Sequence, residues 1–165
     1  MRFSSPTNQP KPARILLVDD NKLGLSARRS VLAELGYSVT TAPGGLEALE
    51  QFERGKFDLL VTDYKMPHMN GVELIGKVRA VEPSLPVIVI SGYVEALDLS
   101  ETTTGADAVI PKSANEVSHL VRAVARLVKR KPARKPPATV KAAPRIPRAN
   151  GTRQATPRRR SQDTK

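Results

Sequence analysis

Apolar residues fall along the chain in two alternating rhythms. Short unbroken runs occupy residues 15–18, 59–62, 87–90 and 108–110, with a weaker β-branched run at 38–41 after Gly36. Unbroken runs of this length suit strands buried on both faces of a parallel sheet. Between them the spacing lengthens to helical periods. Ala27, Val31 and Leu35 lie four apart, and Leu74, Ile75, Val78 and Val81 form a second stripe. A third stripe joins Val117, Leu120, Val121, Val124, Leu127 and Val128, with Asn115 or Ser113 as candidate cap. Gly44-Gly45 marks a helix entry, and the segment from Glu82 to Pro86 a turn. Residues 94–104 end in three threonines, which predicts a short or mobile helix.

The order is β-α repeated five times. Such alternation predicts right-handed crossovers and an α/β, doubly wound, five-stranded parallel sheet of flavodoxin-like (βα)5 type, strand order 2-1-3-4-5. In that order the ligand crevice lies at the C-terminal ends of the strands, between the first and third.

Charge divides the chain. Residues 1–128 hold 14 Lys/Arg against 15 Asp/Glu, a net of −1, whereas residues 129–165 hold 13 Lys/Arg against Asp163 alone, a net of +12. This basic end also contains six prolines, no aromatic residue, and only Val140 and Ile146 as large apolar side chains. It buries too little to offset the entropy of ordering. The expected organisation is a disordered arm at 1–12, a folded domain at 13–130 and a disordered, basic, proline-rich tail at 131–165. The chain has no cysteine, which excludes disulfides and thiolate metal sites. The first residues lack the apolar stretch of a secretory signal, and no run approaches the roughly 20 residues of a membrane span. A cytoplasmic protein is expected.

Polar residues close four of the five strands: Asp19 and Asp20, Asp63, Ser91, and Lys112. On one rim of a parallel sheet, three carboxylates repel one another unless a cation joins them. Mg²⁺ suits one or two carboxylates plus waters and a phosphoryl oxygen. Asp63 can then act as a carboxylate nucleophile toward phosphorus. Lys112 offers positive charge to the phosphoryl oxygens, and the Ser91 hydroxyl a hydrogen bond. Singly, each residue has a plainer reading, since Asp19, Asp20 or Asn21 can cap a helix and a lone lysine is usually surface charge. His68 and His119 lack a second ligand at metal spacing.

The runs Arg14-Ile15-Leu16-Leu17-Val18-Asp19-Asp20-Asn21, Leu60-Val61-Thr62-Asp63-Tyr64-Lys65-Met66-Pro67-His68-Met69-Asn70-Gly71, Ile90-Ser91-Gly92-Tyr93, and Gly105-Ala106-Asp107 through Pro111-Lys112-Ser113, in this order and spacing, resemble the receiver domain of two-component response regulators. The likeness covers roughly residues 13–130. It implies a phosphoacceptor at Asp63, Mg²⁺ held by Asp20, Asp63 and the Lys65 backbone carbonyl, and Asp19 reaching the ion through water. Ser91 and Lys112 take the hydroxyl and lysine roles. It implies as donor a sensor histidine kinase or phosphotransfer protein, and as output a downstream protein that the sequence does not name. Such a receiver assists its own phosphorylation and dephosphorylation without being an enzyme on other molecules. Two positions depart from the family's pattern. Val109 stands where an aromatic switch residue is usual, and Ser113 where proline often follows the lysine.

The leading reading is a stand-alone phosphorylation switch. The alternative is a receiver-fold scaffold, weakly phosphorylated or not at all, whose residues 129–165 bind nucleic acid. Without aromatic side chains that binding would be sequence-blind and strongly salt-dependent.

Overall fold

The computed structural model describes residues 11–129. The expectations for a disordered arm and for a basic tail fall almost wholly outside these residues.

Five strands, β1 (Arg14–Val18), β2 (Ser38–Ala42), β3 (Leu59–Asp63), β4 (Val87–Ser91) and β5 (Ala108–Pro111), form one sheet in the order β2-β1-β3-β4-β5, every pair parallel. Five helices alternate with them: α1 (Lys22–Glu34), α2 (Gly45–Arg54), α3 (Gly71–Val81), α4 (Glu101–Thr104) and α5 (Glu116–Lys129). This is the doubly wound, flavodoxin-like architecture that the β-α alternation predicts.

Strand side chains alternate between two cores. Leu16, Val18, Leu60, Val87 and Val89 point to the side covered by Ala48 and Phe52 of α2 and Leu74, Ile75 and Val78 of α3. Ile15, Leu17, Leu59, Val61, Ile88, Ile90, Ala108 and Ile110 point to the other side, against Leu32 of α1 and Leu120, Val124 and Leu127 of α5. Burial on both faces explains why β3 and β4 read as unbroken apolar runs.

Helix ends follow local chemistry. Asn21 caps α1, its Oδ1 accepting from the N–H groups of Leu23 and Gly24. Asn70 and Glu73 form a reciprocal capping box at the start of α3. Gly105 ends α4 in the left-handed conformation, at φ 73°.

Three helical expectations need correction. The α1 stripe of Ala27, Val31 and Leu35 is not the buried one: Arg28 and Leu32 are buried with Leu25 packed beside them, while Ala27 and Leu35 are exposed. The inward face is displaced because Arg28, a charged residue, occupies a core-facing position. Val81 and Val117 are exposed as well, since each lies at a helix end where the stripe has run past the sheet. The weak helix before β5 is indeed short: α4 has four residues, preceded by turns.

Candidate functional site at the carboxyl edge of the sheet

The alternation that builds the core also builds the site. Ile15 and Leu17, Leu59 and Val61, and Ala108 and Ile110 all face α1 and α5. Two residues further along each strand stand Asp19, Asp63 and Lys112. Strand register brings these ends together, with Ile15 beside Leu59, Leu17 beside Val61, and Asp63 beside Ile90, which in turn pairs with Ile110.

Lys112 Nζ lies 2.9 Å from Asp63 Oδ1 and 3.7 Å from Asp19 Oδ2. Asp19, Asp20 and Asp63 each offer a carboxylate oxygen, and these oxygens lie within 4.8 Å of one another. Asp19 and Asp63 are buried; Asp20 is exposed. Three hard oxygen donors at this spacing fit a small divalent cation better than they fit one another. Because Asn21 caps α1, the carboxylates beside it are left for other work. Asp19 Oδ1 accepts the Asn21 N–H at 2.8 Å, which fixes its orientation.

Burial raises the pKa of the Asp63 carboxyl, and Asp19 adds to the shift; the hydrogen bond and charge of Lys112 and the Tyr64 N–H act against it. The backbone at Asp63 is held on several sides. Thr62 Oγ1 donates to the Asp63 carbonyl at 2.9 Å, and the Tyr64 N–H donates to the Ile90 carbonyl at 2.9 Å. Gly71, the first residue of α3, donates its N–H to the Tyr64 carbonyl at 2.8 Å. A Cβ there would collide with the carbonyl oxygen of Asp63.

Ser91, last residue of β4, is buried, and its Oγ accepts the Tyr93 N–H at 3.0 Å. Its carbonyl accepts the Lys112 N–H at 2.8 Å, so the two strand ends are joined next to the site. Lys65 is two residues beyond Asp63, its side chain turned outward with Nζ 5.1 Å from the Tyr93 ring centroid. Val109 pairs with Val89, is half-buried, and lines a surface cleft of about 350 Å³ with His119, Arg122 and Arg126. His68 and His119 are exposed and lie outside the acidic cluster.

Four contributors escape a reading of the sequence alone: Thr62, Gly71, Arg28 and Glu116. Arg28 is 7 % exposed and donates from Nη1 to Asp19 Oδ2 at 2.5 Å and from Nε to Glu116 Oε1 at 2.6 Å. Burial works against its charge, but Glu116 and Asp19 outweigh that and hold its pKa above the ordinary value. The available signal was spacing: Leu25, Arg28 and Leu32 fall at intervals of three and four.

Residues 15–125 match the response regulator receiver domain family, and the chain belongs to that family. It is 40 % identical over 83 residues to the transcriptional regulatory protein GlrR of Escherichia coli (strain K12), covering 50 % of this chain and 19 % of that one. It is 35 % identical over 119 residues to the response regulator MprA of Mycobacterium leprae (strain TN), covering 70 % and 52 %. The chain thus spans between about a fifth and about half of these relatives. Among solved structures, the response regulator protein TrrA of Thermotoga maritima, in complex with Mg(2+)-BeF, superimposes with a TM-score of 0.63 at 32 % identity, covering 70 % of this chain and 98 % of that one. The acidic cluster of Asp19, Asp20 and Asp63 fits the phosphorylation site of such a domain. Among the described residues no helix is long and apolar enough to cross a membrane.

Proposed function

We propose that this chain is a phosphorylation switch that accepts a phosphoryl group on Asp63 from a phosphohistidine of a sensor histidine kinase or phosphotransfer protein. The observation that carries this reading is the convergence of three carboxylates within 4.8 Å, with Lys112 Nζ 2.9 Å from Asp63. A carboxylate oxygen of Asp63 attacks phosphorus, so an O–P bond forms as the P–N bond breaks. The electron pair leaves with the imidazole nitrogen, which takes a proton from solvent.

Asp20, Asp63 and the Lys65 backbone carbonyl would hold Mg²⁺, with Asp19 acting through water. Bound there, the ion supplies positive charge to the transferring oxygens. Lys112, already at the Asp63 oxygen, supplies a second positive charge in a site partly closed to water. The Ser91 hydroxyl, accepting from Tyr93, keeps its own proton free to donate to a phosphoryl oxygen. Val109, packed with the core on the α3 side of the sheet, has no ring to swing, so any response at Ser91 passes by repacking around a small side chain. The chain assists this transfer and the later hydrolysis on itself rather than turning over a separate substrate. Its output is a partner protein, reached in the cytoplasm.

Incubation with acetyl phosphate and Mg²⁺, followed by intact-mass measurement, tests the reading. A gain of one phosphoryl group that requires Mg²⁺ and is lost in Asp63→Asn is expected. No gain in the unaltered chain would leave the scaffold alternative.

A further inference from the structure

Phosphoryl transfer does not call for a buried guanidinium, yet Arg28 lies against the pocket wall. Charged side chains are rarely buried unless paired. Arg28 has two partners with different roles: Asp19, a member of the acidic cluster, and Glu116, the first residue of α5. One cation therefore joins the phosphorylation pocket to the start of a helix that lies 88 residues beyond it in sequence.

We propose that Arg28 is a positioning residue that competes with a divalent cation for Asp19 and, through Glu116, ties cation occupancy of the pocket to the N-terminal turn of α5. This rests on the Mg²⁺ reading above. The charges decide the direction. Without a divalent ion, Arg28 and Lys112 are two cations among four carboxylates, Asp19, Asp20, Asp63 and Glu116, with Asp19 Oδ2 at 2.5 Å from the guanidinium and 3.7 Å from the ammonium. A doubly charged ion among the same oxygens repels the guanidinium. The side chain has a second acceptor already in contact, Glu116 Oε1 at 2.6 Å, so its bonding shifts from Asp19 toward α5.

Opposite signs follow for the two ends of the bridge. Removing the guanidinium frees Asp19 Oδ2 to accept from the ion's water and removes a nearby positive charge, which tightens binding. Neutralising Glu116 leaves the guanidinium on Asp19 and weakens binding. A bridge that merely staples α1 to α5 changes stability and leaves affinity alone.

The test is Mg²⁺ titration of the full chain by calorimetry and by amide NMR, for the unaltered protein, Arg28→Met, Glu116→Gln and the double variant. Methionine suits the apolar surroundings of Leu25 and Leu32, and Glu116 is half-buried, so the second variant carries the test if the first fails to fold. Arg28→Met should bind about tenfold tighter, Glu116→Gln about threefold weaker, and the double variant should match Arg28→Met within about twofold. Amides of residues 116–118 should move with Mg²⁺ in the unaltered chain and stay still in Arg28→Met, while those near Asp63 move in both. Unchanged affinity in folded Arg28→Met, Glu116→Gln binding as the unaltered chain does, or α5 amides that respond equally in both proteins, would overturn the proposal while the Mg²⁺ reading stands. Absence of Mg²⁺ binding in every variant would overturn both.

Discussion

Lys112 Nζ lies 2.9 Å from Asp63 Oδ1, the shortest contact that the ammonium makes in the acidic cluster. It extends from the residue after β5, where its N–H is fixed to the Ser91 carbonyl. A flexible four-carbon stem anchored at its base lets the charge follow an oxygen from carboxylate to phosphoryl group.

Replacing Lys112 with Met keeps the length and removes the charge. Phosphoryl uptake from acetyl phosphate should slow by about a hundredfold, the usual scale for losing one stabilising donor. Mg²⁺ affinity should hold or rise, because one cation has left the pocket. Time courses of intact mass, paired with calorimetry, separate the two effects. A variant that takes up phosphate at the unaltered rate would remove Lys112 from the chemistry.

Gly71 and Gly76 sit in the same helix and predict opposite outcomes. A Cβ on Gly71 meets the backbone of Asp63 and lies 3.2 Å from Tyr64 Cα, whereas one on Gly76 meets nothing within 4 Å. Gly71→Ala should cost about 1–3 kcal/mol in urea denaturation and slow phosphorylation by displacing Asp63. Gly76→Ala should stabilise by about 0.5–1 kcal/mol, as expected for relieving an exposed helix of glycine entropy. Equal effects at both positions would contradict the tight approach of α3 to the site.

The Asp63 carboxyl is raised, chiefly by burial. The folded state therefore holds that proton more tightly than the unfolded chain does. Its stability contribution is fully present below the ordinary carboxylate value and is lost as pH rises from there through the raised value. Asp63→Asn, which mimics the neutral form, should then be more stable than the unaltered protein at neutral pH without divalent ions. That advantage should vanish at about pH 3, where both side chains are uncharged. Denaturation curves at the two pH values decide it, and an advantage that persists in acid would contradict the shift.

The sheet was legible because buried parallel strands leave unbroken runs, and all five strands formed where those runs lie. Asp19, Asp63 and Lys112 were legible for a related reason: with strand ends on one rim, their side chains converge. Arg28 was not, because an apolar stripe is sought among apolar residues. The true inward face of α1 passes through a charge that only Asp19 and Glu116 make tolerable. Gly71 stood within the recognisable run after Asp63, yet the reason for a glycine is a backbone approach between α3 and β3 that no local pattern encodes. The exposed Val117 and Val81 show the converse, periodic residues at helix ends with no sheet left to cover them.

A phosphorylation switch of this kind requires the phosphoryl group to reside on Asp63. Borohydride reduction of the acetyl phosphate-treated protein, followed by peptide mapping, reads that position directly, since an aspartyl phosphate is reduced to homoserine. Homoserine is expected at position 63, dependent on Mg²⁺ during phosphorylation. Homoserine at Asp19, Asp20 or elsewhere, or none at all in protein that has gained a phosphoryl group, would contradict it.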